Sequence, residues 1–143
     1  MLARLHSRMA IEWDASLATG HKVLDTQHHE LFRRVNGLVE AVAAGRGGDV
    51  VLDTLVYLVE YTRQHFAAEE REMRAAGYPE LETHRRAHAR FFEAVAALQD
   101  DVEQTGTPPS LVETVDRMVV EWLVEHVKKL DRQYAEWLRR DQP

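Results

Sequence analysis

Apolar residues recur at the helical period in four separate stretches of this chain, and only short gaps separate them. Leu24, Leu31, Val35, Leu38, Val39 and Val42 line one face of a helix from about His21 to Ala44, with Asp25 near its start. Leu52, Leu55, Leu58, Val59, Thr62, His65, Phe66, Glu69 and Met73 line a second, with Asp49 placed to cap it and Gly77 to end it. A third helix from about Glu80 turns Leu81, His84, His88, Phe91, Val95, Leu98 and Val102 to one side. The fourth, behind Pro108 and Pro109, carries Val112, Val115, Val119, Trp122, Leu123, His126, Leu130 and Tyr134. Ser110 with Glu113 reads as a capping box at its start. With no alternating strand pattern, these helices predict an all-α fold, an antiparallel up-down-up-down four-helix bundle over residues 21–143. Residues 1–20 read as an N-terminal arm laid on the bundle, because Ile11, Trp13 and Leu17 keep no helical period. Met9 offers a second start, which would leave residues 1–8 as an upstream extension.

These apolar faces also carry polar groups that an ordinary core would reject. His65 and Glu69 on the second helix, and His84 and His88 on the third, stand four residues apart, a step that directs two donors to one point. His28 lies on the first face and His126 on the fourth; Asp131 follows His126 by five residues, about 140° around an α-helix, and still faces the same interior wedge. At 1.5 Å per residue, all of these donors fall about 6 to 20 Å from the same end of an antiparallel bundle. An unpartnered buried polar group costs roughly 1 to 3 kcal/mol, so such a slab predicts a bound metal that pairs them. The chain has eight histidines and no cysteine, which leaves imidazole and carboxylate as the donors and excludes zinc-thiolate and iron-sulfur chemistry. A net charge of −6 without any basic stripe speaks against nucleic acid as a partner. No run approaches the roughly eighteen apolar residues of a membrane span, and Met1 to Ala10 lack an apolar signal core, so a soluble cytoplasmic protein without membrane insertion is expected. His6 and His29 read as solvated bystanders, His29 lying about 100° around the helix from His28.

Taken together, Leu24-Asp25-Thr26-Gln27-His28, His65-Phe66-Ala67-Ala68-Glu69, Tyr78-Pro79, His84 and His88, and Trp122-Leu123 ahead of His126 and Asp131 resemble the bacterial hemerythrins from Trp13 to Tyr134. The resemblance implies two iron ions with a bridging oxo or hydroxo group, Glu69 and Asp131 spanning both. It puts His84, His88 and His126 on one iron, and His28 with His65 on the other. One coordination position is then left open on the iron held by His28 and His65, where dioxygen would bind. Leu31, Phe66, Trp122, Leu123 and Val127 stand at the positions of an apolar dioxygen pocket, with Leu123 over the ligand. His21 stands where an apolar residue is often expected. The implied role is reversible dioxygen carriage, storage or delivery, not enzymatic turnover. Rival readings are an enzyme or scavenger acting on peroxide or nitric oxide at the open position, or an oxygen- or iron-sensing module. A ferritin-type oxidase fits less well, because no Glu precedes any His by three residues.

Overall fold

A computed structural model describes residues 11–141; the first ten residues, with His6 and Met9, and the last two lie outside the described residues. The described chain is all-α. Four helices, α1 (Lys22–Ala43), α2 (Gly48–Ala76), α3 (Leu81–Thr105) and α4 (residues 111–141), follow a single 3-10 turn at Ala15–Leu17. Each helix packs against its two neighbours, α4 closing the ring against α1 and α3. Among the described residues, no helix is long and apolar enough to cross a membrane.

The helix ends show which local signals act. The His21 side chain caps α1, its Nδ1 accepting the Leu24 N–H at 3.2 Å while its Nε2–H donates to Glu72 on α2 at 2.9 Å. Asp49 is not the cap of α2: the cap falls two residues earlier, at Gly47, and Asp49 sits in the first turn, where the helix dipole still favours it. Gly77 does end α2 in the left-handed conformation (φ +73°), which lets its N–H reach Arg74 O and the Tyr78 N–H reach Met73 O. The capping box at Ser110 does not form. Ser110 already has helical dihedrals, and the Leu111 and Val112 amides donate to the carbonyls of Pro108 and Pro109 instead.

Helix α4 departs from the α pattern twice, in π-helical turns at Asp116–Glu121 and Val127–Asp131. A π turn closes i to i+5 and inserts one residue into the helical register. The buried face of α4 also differs from the expected stripe: Leu111, Val120, Val127 and Ala135 join the core, whereas Val112, Trp122 and Leu130 are only half-buried.

The arm is fastened at both ends of its described length. The Asn36 amide donates to Ile11 O at 3.1 Å and accepts the Ile11 N–H at 2.7 Å. Leu17 is buried in the core, and the Trp13 ring packs against His29, tilted by 32° with ring centroids 3.9 Å apart. His29 is therefore exposed but not a bystander: it pins the arm. Further on, the Thr19 amide and hydroxyl donate to Asp25, Arg132 donates to the carbonyls of Ser16 and Ala18, and Arg139 donates to Thr19 O. Gly20 has φ +88°, and a Cβ there would lie 2.5 Å from Arg139 Nη1.

Two apolar layers form the interior. The larger runs through all four helices and includes Leu31, Phe66, Phe91, Leu123 and Val127. The smaller joins Leu24, Met73, Tyr78 and Tyr134, flanked by Leu81, Trp137 and Leu138. The histidines and carboxylates occupy the gap where these two layers meet, beside Phe66 and Val127 of the larger one, and the second layer closes the bundle beyond them.

Candidate metal centre

His28 from α1, His65 and Glu69 from α2, His84 and His88 from α3, and His126 and Asp131 from α4 converge in this gap, none more than 5% exposed. Two groups share Glu69. In one, donor atoms of Glu69, His84, His88 and His126 all lie within 4.8 Å of one another; in the other, those of His28, His65, Glu69 and Asp131 do. Glu69 Oε1 stands 2.8 Å from His84 Nε2 and 3.0 Å from His88 Nε2, while Oε2 turns to His65 Nε2 at 3.4 Å. Asp131 divides the same way, Oδ1 lying 2.9 Å from His84 Nε2 and 3.3 Å from His126 Nε2, and Oδ2 lying 2.9 Å from His28 Nε2. Each carboxylate thus offers one oxygen to the three-imidazole side and one to the two-imidazole side.

Proximity here is not hydrogen bonding. His84 Nε2 does meet Asp131 Oδ1 with hydrogen-bond geometry. Both oxygens of Glu69 and the Nε2 atoms of His28, His88 and His126 have no hydrogen-bond partner among the described residues. Their lone pairs converge on shared space without pointing at one another, which is what a cation in that space requires of its donors. The residues present therefore fit a metal. Asp131 reaches the cluster through the π turn at Val127–Asp131, where the Arg132 N–H bonds back to Val127 O and draws a five-residue step into the alignment of a four-residue α step.

In the metal-free protein the charges are balanced among these groups. Burial and the Asp131 carboxylate would each raise the Glu69 carboxyl, but the imidazoles of His84 and His88 outweigh both and hold it at about 2. Burial would raise Asp131 too; His126, His28 and His84 hold it well below the usual carboxylate range. His84 is pushed by burial toward the neutral form, yet Asp131 and Glu69 raise it to about 9. His28 shifts upward for the same reason, through Asp131, whereas burial pushes His65 down.

The outer faces of two imidazoles are also held. His65 Nδ1–H donates to Gln27 Oε1 at 2.6 Å, and His88 Nδ1–H donates to Glu70 Oε2 at 2.7 Å. Sequence reasoning missed Gln27 and Glu70. Each adjoins a donor in the chain, Gln27 before His28 and Glu70 after Glu69, and that adjacency was the only signal available.

Of the expected pocket residues, Leu31, Phe66, Leu123 and Val127 are buried in the main layer. Phe66 lies flat against His88, with ring centroids 3.6 Å apart and 7° between the planes. Trp122 is only half-buried, stacks on His126 at 4.8 Å and lines a surface groove. Both aromatic contacts thus fall on the three-imidazole side.

An antiparallel bundle with a buried imidazole-carboxylate cluster supplied by all four helices defines a metal-binding four-helix protein. The hemerythrin HHE cation binding domain profile matches residues 19–138. A bacteriohemerythrin of Stenotrophomonas maltophilia is 32% identical over 127 residues, covering 89% of this chain and 80% of that protein. A bacteriohemerythrin of Methylococcus capsulatus is 30% identical over 85% of this chain and 90% of its own, and a myohemerythrin of Theromyzon tessulatum 28% identical over 86% and 89%. The chain belongs to the hemerythrin family, a family of non-haem iron proteins that bind dioxygen.

Proposed function

We propose that this protein binds dioxygen reversibly at a diiron centre and serves in its carriage, storage or delivery in the cytoplasm. His84, His88 and His126 would hold one iron, His28 and His65 the other, and Glu69 and Asp131 would span both. The observation that carries this reading is the division of each carboxylate, one oxygen to each imidazole group. A pair of ferrous ions supplies the two electrons that dioxygen takes up on binding and returns on release.

The chain's own residues favour release over turnover. Five neutral imidazoles against two carboxylates keep the centre's anionic charge low, which favours the ferrous state more than a carboxylate-rich site would. Leu31, Leu123 and Val127, each at most 1% exposed, keep water and outside proton donors from the inner face. The unequal imidazole count supports the two-imidazole side as the place of an open position, with Leu123 as the residue packed over the ligand.

One feature favours a second reading, an enzyme acting on peroxide or nitric oxide. A polar hollow of about 530 Å³, lined by Gln27, Tyr61, Arg63, Gln64 and Arg71, opens beside His65 and would admit a small polar reactant. Stopped-flow mixing of the reduced, iron-loaded protein with dioxygen separates the two. A visible band that appears on mixing and disappears on deoxygenation supports carriage. Rapid irreversible bleaching with peroxide turnover refutes it and supports the enzyme.

A further inference from the structure

The residues just outside the cluster treat its two sides differently. Gln27 and Glu70 stand next to a donor in sequence, about 100° further around the helix, and reach across to a histidine of the following helix: Gln27 on α1 to His65 on α2, Glu70 on α2 to His88 on α3. Both accept the Nδ1–H, so both fix the tautomer that leaves Nε2 facing the interior. They differ in charge. Gln27 is a neutral amide, whereas Glu70 is a carboxylate whose nearest cation, Arg85 Nε, stands 3.7 Å off. His28 and His126, in contrast, have no Nδ1 partner among the described residues.

We infer that Glu70 and Gln27 are a matched pair of positioning residues that make the two halves of the metal centre electronically unequal. Glu70 makes His88 a strong, anion-backed donor on the three-imidazole side, and Gln27 leaves His65 a weaker one on the two-imidazole side. An imidazole that donates to a carboxylate is more basic at its other nitrogen and stabilises a higher metal charge, whereas an amide acceptor orients the ring without adding that charge. The difference places the stronger hold where, on the diiron reading above, coordination is complete. It places the weaker hold where a ligand must come and go. Tyr61 supports the amide side: its hydroxyl donates to Gln27 O at 3.3 Å, and its ring lies parallel to His65, with 3° between the planes.

This inference rests on the dimetal reading, and one set of titrations keeps the two apart. Cobalt(II), which reports binding through its visible spectrum, is titrated into the metal-free parent, Glu70→Gln, Gln27→Glu and the double swap, with thermal unfolding of each metal-free protein as the check on folding. Glu70→Gln keeps an acceptor oxygen and removes the charge; it should weaken one of two binding steps by about 10-fold, the lower end of what loss of such a partner costs. Gln27→Glu should strengthen the other step. With iron, the midpoint potential should rise in Glu70→Gln and fall in Gln27→Glu, a shift that a purely structural role would not produce. A parent that binds two cobalt ions while both variants titrate and reduce like it overturns this inference and leaves the dimetal reading standing. A parent that binds fewer than two overturns the reading itself.

Discussion

Removing the metal should make stability fall as pH rises, and restoring it should abolish that fall. In the metal-free protein burial opposes a charged His84, but Asp131 and Glu69 at 2.9 and 2.8 Å raise its imidazole from 6.5 to about 9. A group raised on folding contributes stability that is complete below its unfolded value and is lost as pH climbs through the folded one. The window is therefore pH 6.5 to 9, and the contribution is ~3 kcal/mol at ~1.4 kcal/mol per pH unit. With 143 residues and ~2.1 cal/mol/K of unfolding entropy per residue, that is a fall in Tm of ~10 °C. Glu69, held at about 2 instead of 4.5, gives the mirror image: its contribution is present above pH 4.5 and lost as pH falls through about 2. The two shifts share the His84–Glu69 contact, so they are not added. A metal must displace the His84 proton, so its stabilising effect should grow across the same window where the metal-free protein weakens. Differential scanning calorimetry of metal-free and cobalt-loaded protein from pH 6.5 to 9 measures both curves. A metal-induced difference in Tm that stays constant over that range would refute the reasoning.

On the proposed diiron reading, Glu69→Gln should remove one of two spanning carboxylates and leave metal analysis showing fewer than two tightly bound ions per chain; full retention would reject its bridging role. Phe66→Ala empties a site 2% exposed and strips the ring stacked on His88; it should cost about 3 to 5 kcal/mol, read as a Tm lower by ~10 to 17 °C. Deleting the exposed Lys129 should relax the second π turn to α geometry and preserve metal binding, whereas inserting one alanine there should abolish it, both measured by metal content.

Most of the fold was legible because burial has a period. Leu31, Val35, Leu38 and Val42 on α1, and Phe91, Val95, Leu98 and Val102 on α3, occupy the faces their spacing predicts. Caps were less legible, because residue type alone does not fix where the backbone turns helical: Gly47 stands at the cap of α2 without a side-chain bond, and at the start of α4 Ser110 is already helical while the proline carbonyls take the Leu111 and Val112 amides. At the cluster, His28, His65, Glu69, His84, His88, His126 and Asp131 stood out as polar groups on apolar faces. Gln27 and Glu70 did not. Gln27 lies on a polar flank beside Gln64 and Arg71, and Glu70 on another beside Glu82 and Arg85; only the packing of α1 on α2 and of α2 on α3 decides that they face an imidazole and not solvent.

Asp131 is where local geometry and tertiary demand part company. His65 to Glu69 and His84 to His88 are four-residue steps that an α-helix aligns unaided. His126 to Asp131 is five, and an α-helix would turn the carboxylate about 140° from the imidazole. The chain resolves this with a π turn at Val127–Asp131, in which Lys128 and Lys129 are exposed and Leu130 is left only half-buried. No residue in that turn advertises it. Its trace in the sequence is the spacing itself, five where the other helices use four. That number becomes informative only once the remaining donors require Asp131 to face inward.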